Sequence, residues 1–245
     1  AKNERRIVGT QKEFLVDRLI DNYNKNSSDK IKKTDIITLD HNDEIVWVIR
    51  EYIFGESLCG TQFDPSYLIT PDKLSTIRDK FLLNRQSIVQ NTAKRLLSLQ
   101  KITGDKKSFD KQFKENIKDC PISEIEAGLG ISLDEQLCFF KKNSKCFYSA
   151  DRQVACMGDI TPANVIIRGL DDALLTDFEW FCYDNLFIDI AHFWLFLWRY
   201  PDCQDVWISN FIKSEDDKRD FHLSVIRILI NMMGKVFIDS SNTRD

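Results

Sequence analysis

Glycine and proline are scarce in this chain, at 9 and 5 of 245 residues, against usual shares of about 7% and 5%. That scarcity argues against collagen-like, linker-like and turn-rich all-β readings. Paired cysteine spacing is also missing. The seven cysteines are odd in number and contain no C-x-x-C. A disulfide framework or zinc ribbon therefore fits less well than reduced thiols in a cytoplasmic protein. The three histidines, His41, His192 and His222, show no metal-ligand spacing. No basic excess exists, since 34 Lys and Arg face 38 Asp and Glu for a net charge of −4; this speaks against a nucleic-acid partner. No apolar run is long enough for a membrane span. The longest, Leu186 to Trp198, carries Asp189 and His192 and falls short of the roughly 20 residues required. No signal peptide opens the chain, and Ala1 stands where Met would be expected, which reads as a cut point.

What is present is enough apolar material for a core: 43% hydrophobic and 11% aromatic residues, which excludes a disordered tail. Periodicity predicts a first helix over about 12–23, with Leu15, Val16, Leu19, Ile20 and Tyr23 on one face. After a polar loop at 24–33, two β-rich runs, 35–39 and 45–53, flank a short Asn/Asp turn and predict a hairpin. Its second strand is apolar on both faces and is expected to be buried. Residues 56–72 read as an irregular connection, 72–101 as a long helical region, and 103–119 as a surface segment. A weakly patterned stretch leads to Phe147. Short strands and loops are expected over 153–178, a buried helix over 188–200 and a last helix over 219–237. Helix and hairpin first, then a helical body with a short β insert, is an α+β two-lobed pattern.

The chemistry is carried by Met157-Gly158-Asp159-Ile160-Thr161-Pro162-Ala163-Asn164 and by Leu175-Thr176-Asp177-Phe178-Glu179. Asp159 and Asn164 stand in a D-x-x-P-x-N frame, and Asp177 comes thirteen residues after Asn164. Two short apolar runs and a turn separate them. Phosphoryl transfer needs metal at the phosphates, a base for the nucleophile's proton, and tight positioning. Magnesium takes one or two carboxylates together with phosphate oxygens. A loop can supply the base and one ligand, and a hairpin can return the second carboxylate to the same cleft. Each residue also has a plain alternative, because Asp and Asn beside proline commonly serve as turn formers.

Together these segments resemble the kinase-like phosphotransferase superfamily, in its aminoglycoside phosphotransferase and choline/ethanolamine kinase branch. The family's H-G-D-x-x-P-x-N loop is similar to Gly158–Asn164, its metal-binding D-F element to Asp177-Phe178-Glu179, and its D-L-A helix start to Asp189-Ile190-Ala191. The resemblance implies a protein-kinase-like two-lobed fold with a truncated N-lobe over 1–55 and a mostly helical C-lobe over 56–245. It implies Asp159 as catalytic base, Asn164 and Asp177 as magnesium ligands, and Asp189 as a bracing acid. Glu51, Tyr52 and Ile53 would lie at a hinge that reads adenine. Glu13 would pair with an ATP-binding lysine, for which Lys2, at the end of a strand and eleven residues earlier, is the candidate. Met157 replaces the family's His, Thr161 stands where protein kinases carry Lys, and no Gly-rich phosphate loop is found.

The implied activity is transfer of the γ-phosphate from magnesium-bound ATP to a hydroxyl of a small molecule. The alternative is a catalytically silent kinase-like module used for binding or scaffolding, suggested by Met157 and the missing glycine loop. Only twelve residues separate Asp177 from Asp189, little room for the peptide platform of a protein kinase. The aromatics Trp180, Phe181, Tyr183, Trp194 and Trp198 are expected mainly to pack the core, with cation stacking as the alternative. Glu179 reads equally as a surface acid or as a ligand.

Overall fold

The computed structural model describes residues 2–41, 46–59, 71–104, 109, 117, 120–169 and 172–242. It opens with α1 (Lys2–Asn26), followed by strands β1 (Ile36–His41) and β2 (Val46–Arg50). An extended joint at 51–55 leads into β3 (Glu56–Ser57), then α2 (Pro71–Leu74), a 3₁₀ segment (Asp79–Asn84) and α3 (Arg85–Leu99). Next come α4 (Ile122–Leu129), α5 (Asp134–Phe147), β4 (Gln153–Cys156), β5 (Val165–Ile167), β6 (Ala173–Leu175) and β7 (Cys182–Asn185). Helices α6 (Ile188–Phe196), α7 (Pro201–Ser209) and α8 (Glu215–Asn242) complete it.

The first helix is longer than its apolar stripe announced. It begins at Lys2, which is therefore helical and not the strand end expected there; Ala1 lies outside the described residues. Gly9, Glu13, Val16 and Ile20 fall on one face at helical spacing, and all four are buried. Val16 and Ile20 enter the main core, while Gly9 lies against Glu179 and Glu13 against Arg50. Two polar clamps hold the helix to the segment that leads into β1. The Asn24 amide donates to the Ile31 carbonyl and accepts the Ile31 N–H, both at 2.8 Å. Lys33 reaches Asp17, Asp21 and Asp35 at 2.6, 3.1 and 2.5 Å.

β1 and β2 pair antiparallel as expected, with the turn 42–45 outside the described residues. The second strand stops at Arg50 rather than Ile53, and it is not buried on both faces. Trp47 and Ile49 are 45% and 49% exposed. The two-stranded sheet packs on α1, and the face that carries Trp47 and Ile49 is left about half open.

The helical region expected over 72–101 is broken into α2, the 3₁₀ segment and α3; of its expected stripe, Ile88, Val89, Thr92, Ala93 and Leu96 are buried, whereas Leu97, at the edge of that face, is exposed. Within 103–119, Phe109 and Ile117 are buried rather than superficial, and most of the rest lies outside the described residues. The weakly patterned stretch is in fact α4 and α5. Leu133, Leu137, Phe140 and Phe147 form a stripe that joins Ile125 and, from α8, Leu223 and Ile230 in a second core. Lysines between these apolar positions mask the period in a linear reading. β3, β5 and β6 form one sheet, and β4 with β7 another. α6 ends at Phe196, and Pro201 at its N-terminal end starts α7. α8 begins at Glu215, four residues before its expected start. Among the described residues, no helix is long and apolar enough to cross a membrane.

Candidate active site

The loop after β4 carries Asp159 and Asn164, and its course is set by two features. Gly158 has φ +84°, and a Cβ placed there would lie 2.1 Å from the Trp180 carbonyl oxygen, so only glycine fits. Asp189, in the first turn of α6, accepts the backbone N–H of Met157 at 2.6 Å and of Gly158 at 3.0 Å. Asp189 is fully buried. Burial pushes its pKa up to about 7, against the opposing pull of those two N–H bonds. Met157 itself is buried in the main core.

The β5–β6 hairpin then brings the two ends together. Val165 opposes Leu175 in the antiparallel register, which sets Asn164 beside Thr176. The Thr176 N–H and hydroxyl donate to the Asn164 carbonyl at 3.0 and 3.2 Å. The Asn164 side-chain Nδ2 donates to the Asp159 carbonyl at 2.9 Å, leaving Oδ1 as the lobe that can accept or ligate. Asp177 comes next with φ +69°, and no other non-glycine residue among those described has positive φ. Such strain is kept where the surroundings enforce it, and it gathers at functional sites. Its pKa is raised to about 6, first by burial and then by the negative charges of Glu179 and Asp159; the Arg50 guanidinium pulls the other way.

Asp159, Asn164 and Asp177 are thus assembled at one place. Glu13 joins them from α1. Its carboxyl is raised by burial, and the charges of Asp177 and Glu179 raise it further. Its partner is Arg50 at the end of β2. Lys2 stands on the same helix eleven residues earlier, about 16 Å along the axis at 1.5 Å per residue, and not on a strand beside Glu13. Arg50 was not anticipated from sequence; the signal was a pair of charges, Arg50-Glu51, inside the otherwise apolar run Val46-Trp47-Val48-Ile49-Arg50-Glu51-Tyr52-Ile53. Glu179 is exposed and lies against α1, with its Oε2 3.3 Å from where a Gly9 Cβ would sit.

Glu51, Tyr52 and Ile53 form the extended joint between β2 and β3. The Glu51 N–H donates to Asp35 O at 2.8 Å, so it is committed to the sheet. Gly55 is pressed against β5, where a Cβ would meet Ile166 Cγ2 at 2.5 Å. Beside Asp159 a cavity of about 250 Å³ opens, lined by Trp180, Cys182, Asp184, His192 and Arg227 among others. Arg227 is buried and holds Asp184 through two contacts of 2.9 Å. Of the aromatics, Phe181 and Tyr183 are core residues and Trp194 stacks edge-on against Phe221, as packing would have it. Trp198 is exposed, and Trp180 faces the cavity.

Among the described residues, no group of three or more His, Cys, Asp or Glu forms a metal cage. One amide oxygen and one crowded carboxylate match the sparse ligand set with which magnesium is held beside phosphates.

No family model and no curated protein matches this chain. Solved structures do. An aminoglycoside 2'-phosphotransferase in its GDP complex superposes with a TM-score of 0.62 at 11% identity, over 99% of this chain and 78% of that one. A streptomycin–ATP ternary complex of another aminoglycoside phosphotransferase gives 0.53 at 12%, over 98% and 79%. A choline kinase from Streptococcus pneumoniae gives 0.52 at 14%, over 95% and 73%. The chain therefore has the fold of the kinase-like phosphotransferases, α+β with a small sheet lobe and a helical lobe.

Proposed function

We propose that this protein is a magnesium-dependent phosphotransferase that moves the γ-phosphate of ATP to a hydroxyl group of a small molecule. The observation that carries the reading is the convergence of Asp159, Asn164 and a strained Asp177 on one cleft. Asp159 would orient the acceptor hydroxyl and take its proton, with the acceptor in the adjoining cavity. Asn164 Oδ1 and the Asp177 carboxylate would hold magnesium, which neutralises charge on the transferring phosphate. The joint at Glu51, Tyr52 and Ile53 would read the adenine, and Glu13 would act behind the phosphates. Residues 51–55 would then divide an N-lobe from the C-lobe. Seven free thiols fit a reducing, cytoplasmic setting.

The test is ATP consumption, with ADP and the phosphorylated acceptor as products, across a panel of amino alcohols, sugars and aminoglycosides. General base catalysis contributes about 10²–10⁴-fold, so Asp159→Ala should lower turnover by at least the smaller factor while leaving the melting temperature near wild type. Equal turnover by Asp159→Ala would remove Asp159 from the reaction. Nucleotide binding with no turnover on any acceptor would favour the silent binding module.

A further inference from the structure

The cleft is strongly acidic. The charges of Glu179 and Asp159 act on Asp177, and Glu13 feels both Asp177 and Glu179. A nucleotide's phosphate chain brings more negative charge to the same place, so it needs a cation from the protein as well as a metal. Arg50 is a cation whose charge acts on both Glu13 and Asp177. It ends β2, immediately before the joint at 51–55 proposed to read adenine, and its charge reaches Asp177, proposed to hold the metal.

The burial of the pair is asymmetric. The Glu13 side chain is 8% exposed and the Arg50 side chain 33%. The acid is the fixed, enclosed partner, and the guanidinium is the accessible one. Glu13 engages one nitrogen, Nη2. A guanidinium presents five N–H donors in a planar fork and can serve two anions at once, which an ammonium does less well. The helix face supports this placement, since Gly9, one turn before Glu13, lets Glu179 lie directly against α1.

Resting on the phosphotransferase reading, we propose that Arg50, anchored by Glu13, is the positioning residue that binds the nucleotide phosphates in this cleft.

The test is calorimetric binding of magnesium-ATP, magnesium-ADP and adenosine to the full chain. A charge-assisted hydrogen bond is worth about 1.5–3 kcal/mol, so Arg50→Met should weaken ATP and ADP by about 10–100-fold. Adenosine, which has no phosphates, should bind both proteins within about two-fold, a difference that a general loss of structure would not produce. Arg50→Lys keeps the charge without the fork and should fall between the two, and it carries the test if Arg50→Met melts too low to assay. Glu13→Gln should weaken ATP less than Arg50→Met does. Unchanged ATP affinity in Arg50→Met or Arg50→Lys overturns the assignment of Arg50 alone. Equal loss for adenosine and ATP overturns it too, by making the effect structural. A wild-type chain that binds adenosine, ADP and ATP not at all would sink the phosphotransferase reading along with it.

Discussion

Asp189→Asn separates two contributions that the buried brace combines. The carboxyl holds two backbone N–H groups, at Met157 and Gly158, from a site with no exposure. An asparagine can accept one of them through its carbonyl but turns an amide N–H toward the other. One buried donor is then left unsatisfied, at a cost of about 1–3 kcal/mol. Ionisation works in the opposite direction. The pKa of Asp189 rises from an ordinary 3.8 to about 7 on folding. The folded state therefore keeps its proton where the unfolded chain has lost it. Stability from this group is complete below pH 3.8 and is lost as pH climbs through 7. At about 1.4 kcal/mol per pKa unit, the part lost between pH 5 and pH 8 is about 2–3 kcal/mol. Asparagine does not titrate, so the variant escapes that loss. Urea unfolding of both proteins at pH 5 and pH 8 measures it directly, because every other titrating group is shared. The expected result is a variant about 1–3 kcal/mol less stable at pH 5 and level with wild type, or above it, at pH 8. A gap of the same size at both pH values would show that Asp189 is ionised throughout and that the two N–H bonds outweigh burial.

The same geometry sets three further outcomes. Asp177→Asn should abolish transfer yet raise the melting temperature of the nucleotide-free protein, because it removes repulsion from Glu179 and Asp159 while asparagine tolerates φ +69°; a lower melting temperature would mean that the crowding is not a source of instability. Gly158→Ala should cost more than about 1–3 kcal/mol in chemical denaturation, since the added carbon meets the Trp180 carbonyl in a left-handed backbone, and wild-type stability would refute that contact. Arg227→Met leaves Asp184 buried without its bidentate partner and should cost about 3–5 kcal/mol, read as a fall in the urea midpoint; a cost below about 1 kcal/mol would mean that water reaches Asp184.

The range of the forces involved decides which features could be read from the linear chain. The Asp159–Asn164 loop was legible because a D-x-x-P-x-N frame is local and its residues are rare in combination. Its convergence with Asp177 was legible because a short hairpin leaves two flanking residues few places to go. The helices α4 and α5 were missed for a different reason. Their apolar positions, Leu133, Leu137, Phe140 and Phe147, are separated by charged residues and become a stripe only against Leu223 and Ile230 of α8. The exposure of Trp47 and Ile49 was missed because apolar residues on both faces of a strand normally mean cover on both faces, and cover is supplied by other elements. Arg50 was missed for the same reason, since its meaning depends on Glu13, 37 residues away in sequence.

Met157 shows how a departure from a motif can be harmless at one level and informative at another. Where the loop it resembles has histidine, a side-chain hydrogen bond would steady the proposed catalytic turn. Here the steadying contacts run from Asp189 to the backbone N–H groups of Met157 and Gly158, and a backbone donor is present whatever side chain stands at 157. The side chain is then free to be apolar, and methionine places it in the core with Ala155, Ile160 and Ile190. The exchange gives the loop apolar anchorage in addition to its carboxylate brace. A histidine in that enclosed site would need a partner for each ring nitrogen or bear the cost of burying them unpaired. The substitution that most suggested a silent module is therefore compatible with a rigid, correctly formed loop. The case for or against catalysis passes to the residues proposed to meet phosphate and acceptor: Asp159, Asn164, Asp177 and, on the nucleotide side, Arg50.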